Sequence, residues 1–275
     1  MLSGRAIPGL VALAALILAG CGGGDGVTSA TGTFEPNRPG KLTVMTQPMP
    51  TAGFWEGTRL SPTGGFEYEM AVDLAERLDL DGVEIRTTPF SRIVNGRLGD
   101  AELAMALITP TSERDQVLDF TTPYIDSAPA LLVREGTEIP DVKTAQEMQF
   151  AVGRNTTFEQ IVDETIQPDL EPLRFESRQR EIRAVRNGTA DVAMLDLPAA
   201  EAIVNDDDRL AIAAKLSSTE PIAAALPEGS TNVDAVGAAL RAMEADGTID
   251  RLSEEWLGTS ITDSENNVPL LRTSQ

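Results

Sequence analysis

Twice along this chain a short apolar run leads through a polar turn into an amphipathic segment and then into another short apolar run. This repetition limits the fold more than any other feature. In the first half, residues 42–46, 83–86 and 103–108 read as strands. Between the first two lies a stripe of Phe66, Met70, Leu74 and Leu78 at helical spacing, opened by Gly64-Gly65, and between the next two a second amphipathic segment, 92–98. In the second half strands are expected at 150–152, 173–175 and 190–195, with helices over 158–164 and 178–187. A last strand at 222–226 precedes helices at 233–245 and 249–257. Strands that alternate with helices build a mostly parallel sheet covered by those helices, so the expected class is α/β, in two units.

Open sheets of this kind place ligands at the carboxyl ends of their strands. The strand at 103–108 ends in Thr109-Pro110-Thr111-Ser112 and runs into a short helix carrying Arg114. A guanidinium there can hold a carboxylate through two parallel hydrogen bonds, a geometry lysine lacks. The turn by itself also fits a plainer role, in which Thr111 or Ser112 caps the helix and Arg114 pairs with Glu113 or Asp115 at the surface. In the second unit the strand at 190–195 ends at Asp196, in front of Leu197-Pro198, where a helix N-cap and a ligand contact are both open to it. Two polar sites at strand ends imply two lobes facing one cleft.

The formal net charge is -21, from 22 Lys+Arg against 43 Asp+Glu, so the chain repels phosphate backbones and nucleic acid is not an expected partner. The absence of histidine and the presence of one cysteine exclude histidine-based catalysis, Cys/His zinc clusters and an intrachain disulfide. No cofactor or metal is expected. The cysteine, Cys21, follows Arg5, an apolar run over 10–18 and the small residues Ala19-Gly20. That run is too short for a membrane span, which takes ~20 apolar residues. Residues 22–40 are mostly Gly, Thr, Ser, Pro and Asn and read as a flexible tether, and the segment after Gly258 reads as a polar, disordered tail.

Residues 1–20 resemble a bacterial lipoprotein signal peptide, with Cys21 as the lipidated, palmitate-bearing first residue of the mature protein. Further on, Gly65-Phe66-Glu67-Tyr68-Glu69-Met70-Ala71, Thr109-Pro110-Thr111-Ser112-Glu113-Arg114 and Asp119-Phe120-Thr121-Thr122-Pro123-Tyr124 resemble the bacterial extracellular solute-binding proteins of family 3, which deliver polar amino acids to ABC importers. Asp246-Gly247-Thr248-Ile249 and Glu255-Trp256-Leu257-Gly258 are similar to that family's last two helices. The resemblance implies a two-lobed periplasmic-binding-protein-like fold (type II), two Rossmann-like lobes joined by two crossovers. It divides the chain into a signal peptide at 1–20, a tether at 21–40, a first lobe at 41–124 with 221–258, a second lobe at 125–220 and a tail at 259–275.

The same resemblance implies a site. The ligand's α-carboxylate would be held by Arg114, Thr109 and the N–H groups of Asn155, Thr156 and Thr157. Its α-ammonium would be held by Asp196 and the carbonyl of Leu107, and its side chain would be clamped by Phe90 and by Phe54 or Trp55. Gln47 stands where many relatives carry an acid, Leu107 where many carry a small residue that would not crowd the pocket, and Gly153-Arg154 opens the second-lobe loop. The implied protein is a monomeric, non-enzymatic receptor, lipid-anchored to the outer face of the cell membrane, with the transmembrane subunits of an ABC permease as partner. The alternative is a cyclohexadienyl or arogenate dehydratase-like enzyme on the same fold, whose acid or base would come from Glu67, Glu113 or Asp196.

Overall fold

The computed structural model describes residues 33–258 and 268–272; the signal segment and Cys21 lie outside the described residues. In chain order the strands are β1 (Leu42–Thr46), β2 (Glu56–Thr58), β3 (Ser61–Gly64), β4 (Val83–Thr87), β5 (Leu103–Ile108), β6 (Leu118–Phe120), β7 (Ile125–Ser127), β8 (Pro129–Arg134), β9 (Phe150–Gly153), β10 (Leu173–Phe175), β11 (Val192–Asp196), β12 (Leu210–Lys215) and β13 (Glu220–Pro227). The helices are α1 (Phe66–Arg77), α2 (Phe90–Ile93), α3 (Val142–Gln146), α4 (Thr157–Ile161), α5 (Arg178–Arg186), α6 (Leu197–Asp206), α7 (Val233–Ala245) and α8 (Thr248–Leu257).

Two sheets result. The first has the order β4-β1-β5-β13-β6, with β7 paired to β13, and the second the order β10-β9-β11-β8-β12. Both are buried on both faces, which is why their strands read as continuous apolar runs. In β5, Leu103, Met105 and Leu107 face one core while Ala104, Ala106 and Ile108 face another. In β11, Val192 and Met194 face one side while Ala193 and Leu195 face the other. The chain leaves the first sheet after β7 and returns in β13, and these two passages pair antiparallel, Ser127 opposite Glu220 and Ile125 opposite Ile222.

The expectation of mostly parallel sheets is corrected to mixed ones. β4-β1-β5 and β10-β9-β11 are parallel, but β13 runs against β5 and β6, and β8 against β11 and β12. A strand arriving directly from the other sheet enters where the helix-connected strands finish, and so runs against them. The helix expected at 92–98 is a single turn, α2, ended by the turn pair Asn95-Gly96.

Both ends are more ordered than composition implied. The tether expected to reach residue 40 is tied down earlier, because Asn232 accepts from the Glu35 N–H at 2.9 Å and Phe34 packs on the first core. In the tail, residues 268–272 reach the open edge of β12: the Lys215 N–H donates to Pro269 at 2.9 Å and the Leu271 N–H to Lys215 at 2.8 Å. The segment thus meets the edge strand at its last residue, Lys215, whose backbone groups both pair with it.

Gly65 sets how α1 meets the loop before it. Its φ is 116°, and a Cβ there would lie 2.4 Å from the carbonyl oxygen of Phe54. Gly65→Ala therefore moves backbone, and we expect a loss of about 2–3 kcal/mol of unfolding free energy in urea titration.

Candidate functional site

The carboxyl ends of the parallel strands in the two sheets meet across one cleft. The first lobe brings Gln47 from the end of β1, Phe90 from the start of α2, and Thr109 and Arg114 from beyond β5. The second brings the 153–157 loop after β9, the start of α5 after β10, and Asp196 at the end of β11. The two sides touch: Arg114 Nη2 donates to the Asn155 carbonyl at 2.8 Å, the Ser91 hydroxyl to Glu176 at 3.1 Å, and Gln179 Nε2 to the Pro48 and Pro50 carbonyls at 2.9 and 2.7 Å.

Arg114 is 7% exposed, at the first residue of a 3-10 turn, Arg114–Gln116, whose entry is capped by the Thr111 hydroxyl accepting the Arg114 N–H at 3.2 Å. Its Nη1 donates to the Thr109 carbonyl at 2.6 Å, and its guanidinium stands over the Phe90 ring, 5.4 Å from the centroid. No carboxylate among the described residues lies within 4.0 Å of it, so the surface pairing with Glu113 or Asp115 is not made. Burial pulls its pKa down to about 10, leaving it cationic near neutrality.

Asp196 is the opposite charge in the same condition. It is 1% exposed, and although it stands before α6 its side chain makes no capping bond. Arg178 Nη2 lies 3.5 Å from Oδ2, which has no hydrogen-bond partner. Burial pushes Asp196 up to about 6, while Arg178 and Arg114 pull it down and Glu220 adds to the rise.

Leu107 adopts a left-handed backbone, φ 53°, inside the irregularity where Ala223 pairs with Ile108 and Ala225 with Ala104. Its N–H turns to Glu67 at 2.9 Å and its side chain packs in the first core, so the crowding of the pocket expected from that residue does not occur. Two expectations are corrected. Trp55 is fully buried in the first core, with its indole N–H on Glu67 at 2.6 Å, and Phe54 stacks edge-on against Phe66, so neither ring forms the cleft wall. The Asn155 N–H is taken by Glu159 at 2.7 Å and the Asn155 carbonyl by Arg114, so that N–H is not available to a ligand. Thr156 caps α4 through its hydroxyl at 3.1 Å, and Thr157 opens the helix, so the Thr157 N–H has no partner within it. A cavity of ≈ 550 Å³ adjoins this junction, lined by Arg114, Asn155, Thr156 and Thr157 among others.

Three cleft residues went unread in the sequence: Arg178 and Glu181 on the first turn of α5, and Glu220 at the start of β13. Glu181 is 2% exposed and Glu220 8% exposed, and each keeps one carboxylate oxygen without a partner. The strand-end rule that flagged Arg114 and Asp196 also covers the turn after β10, and would have flagged Arg178 and Glu181. Gly153 faces Glu181: a Cβ there would stand 3.0 Å from the Thr156 methyl and 3.4 Å from Glu181 Oε2.

Residues 46–259 match the family model described as bacterial extracellular solute-binding proteins, family 3. The chain belongs to this family. Among curated members, the L-cystine-binding protein TcyJ of Escherichia coli K12 is 29% identical over 208 residues, 72% of this chain and 76% of that protein. The amino-acid-binding protein AabA of Dichelobacter nodosus is 30% identical over 205 residues, 71% of this chain and 79% of its own. Among solved structures, the ancestral amino acid-binding protein AncCDT-1, titled a precursor of cyclohexadienyl dehydratase, superposes with a TM-score of 0.69 at 26% identity, covering 79% of this chain and 95% of that one. The family's two-lobed α/β fold is that of the present chain. Among the described residues no group of three or more His, Cys, Asp or Glu is placed to hold a metal, and no helix is long and apolar enough to cross a membrane.

Three buried acids make the stability of the fold sensitive to pH. Burial raises Glu181 to about 8, Glu67 to about 7 and Asp196 to about 6, each above its unfolded value. Such groups bind protons more tightly folded than unfolded. Their contribution is complete below the unfolded pKa and is lost as pH rises through the folded one. The melting temperature of the ligand-free protein should therefore fall between about pH 5 and about pH 8, and Glu181→Gln should flatten the upper part of that fall in a thermal-denaturation series.

Proposed function

We propose that this protein is the extracytoplasmic, lipid-anchored receptor of an ABC importer, and that it captures a polar amino acid between its lobes. The observation that carries this reading is the pair of buried, opposite, incompletely partnered charges at the carboxyl ends of the two sheets. Arg114 has no carboxylate within reach among the described residues, and Asp196 Oδ2, 3.5 Å from Arg178 Nη2, has no hydrogen-bond partner. A zwitterion whose carboxylate meets Arg114 and whose ammonium meets Asp196 satisfies both at once, with Glu220 a second acceptor on the ammonium side. Either charge buried without that partner is costly. The binding specificities in the names of TcyJ and AabA support the class of ligand.

Lobes at 41–124 with 221–258 and at 125–220 hinge on the two passages paired through β7 and β13. A ligand touching both lobes stabilises the closed arrangement by the contacts it makes only there. Cys21, behind its apolar run, supplies the lipid, and the residues between it and Phe34 supply reach from the membrane surface. The dehydratase alternative is weaker on the available acids. Of its three candidate acids, Glu67 accepts three hydrogen bonds in a fully buried position, Glu113 is exposed, and Asp196 is the acid this reading assigns to the ligand's ammonium.

Two experiments test this reading. Arg114→Ala should weaken the tightest-binding amino acid of the standard set by about 2–5 kcal/mol in calorimetry. Retained affinity would remove the carboxylate site from the account. Cys21→Ser should move the protein from the membrane to the soluble fraction; unchanged partitioning would mean that no lipid is attached there.

A further inference from the structure

Beside the charges assigned to the amino-acid head group lies a second set of buried, unpartnered polar atoms. Gln47 Nε2, Arg178 Nη1 and Glu181 Oε1 have no hydrogen-bond partner. Gln47 is 6% exposed, Glu181 2%, and the Arg178 side chain 11%. All three line one narrow cavity of ≈ 20 Å³ between the lobes, together with Phe90, Gly153 and Ser177. Gln47 and Phe90 come from the first lobe and the others from the second. Gly153 leaves Glu181 the room it occupies, since a Cβ there would stand 3.4 Å from Glu181 Oε2.

We propose that this cavity receives the far end of the bound amino acid's side chain, and that Arg178, Glu181 and Gln47 select an end group that is neutral overall and both accepts and donates hydrogen bonds. The inference rests on the amino-acid reading above and narrows its ligand class. Arg178 and Gln47 offer donors and so require an acceptor, while Glu181 offers an acceptor and requires a donor. A cationic end would suit Glu181 but face Arg178. An anionic end would suit Arg178 but face Glu181. An aliphatic end would leave all three atoms buried and unpaired, the arrangement by which polar sites reject apolar analogues. A donor arriving on Oε1 also favours the ionised form of Glu181. The remaining charges at the cavity, Arg154 and Glu176, form their own exposed pair at 3.6 Å, with side chains 47% and 58% exposed. At ≈ 20 Å³ the cavity has room for about one water with the lobes as they stand, so a carboxamide needs them slightly further apart and a second ammonium–carboxylate pair further still.

The test is calorimetric titration of the full chain with L-glutamine, L-asparagine, L-cystine, L-arginine, L-glutamate and L-leucine. The tightest binding is expected among the first three, by about tenfold or more over the others. Tightest binding of arginine, glutamate or leucine overturns the end-group assignment and leaves the amino-acid reading intact. Absence of binding by all six overturns both. Ratios in two variants separate selection from support of the fold. Glu181→Leu should shift the glutamate-to-glutamine affinity ratio toward glutamate by about tenfold, and Arg178→Met the arginine-to-glutamine ratio toward arginine by a similar factor. An equal loss for all three ligands in both variants would reduce these residues to structural supports and overturn the proposal.

Discussion

The carboxylate of Glu67 joins the parts of the first lobe that the cleft depends on. It sits in the first turn of α1, where the helix dipole favours an acid, and is wholly buried. Three donors converge on it: the Trp55 indole N–H at 2.6 Å, the Leu107 N–H at 2.9 Å and the Tyr124 hydroxyl at 2.5 Å. Those donors come from the loop after β1, the end of β5 and the chain just before the passage into the second lobe. A left-handed conformation at a branched residue such as Leu107 costs of order 1–3 kcal/mol and persists only where its surroundings impose it. Glu67 and the core packing of the leucine side chain supply that imposition, and Thr109 and Arg114 follow within the next few residues. Burial raises Glu67 to about 7 while its three donors pull the other way, so the anchor is itself a group poised near neutrality.

The cleft is built from charges left incompletely satisfied. Arg114 and Arg178 face Asp196, Glu181 and Glu220, all buried or nearly so, and partnerless oxygens remain on each of the three acids. Elsewhere on the molecule carboxylates are paired at the surface, as Arg174 is with Glu159, Asp163 and Glu171, and such pairs contribute little. Buried polar atoms without partners also occur away from the cleft, as on Glu201 and Trp256, but in the cleft they cluster on facing charges, which is the pattern the proposed ligand would satisfy. Burial also explains the raised pKa values of Glu181 and Asp196, since it drives both upward and Arg178 is the largest influence against it at each.

Much of the fold was legible because it rests on local signals. The stripe from Phe66 to Leu74 is on α1, and Arg114 and Asp196 stand at strand ends, where parallel α/β units expose polar groups. What escaped depends on distant partners. The direction of β13 follows from its arrival out of the second sheet, and the short β6 is a strand only because Ala225 and Leu226 lie beside it. Residues 268–272 read as disordered by composition, yet pair with the last residue of β12, Lys215. Trp55 has the composition of a ligand clamp, and only the position of Glu67 turns its indole into the core. Arg178 and Glu181 sit in a segment whose sequence signalled a helix and nothing about which way its first turn faces. That the first turn of α5 points into the cleft is set by the pairing of β10 with β9, a contact between strands about twenty residues apart.

Arg114 also ties the two sides of the cleft together. Its guanidinium already donates to a carbonyl of its own lobe and to a carbonyl of the facing loop. A guanidinium has five N–H groups in a fixed plane, so these two contacts leave others to meet a carboxylate in the same plane. On the reading proposed above, the residue that would recognise the ligand would also latch the lobes, since a carboxylate that fixes the guanidinium's orientation would also fix its contact with Asn155. A lysine ammonium, a point charge on a flexible stem, would keep the attraction for the carboxylate but lose the planar arrangement that ties recognition to closure.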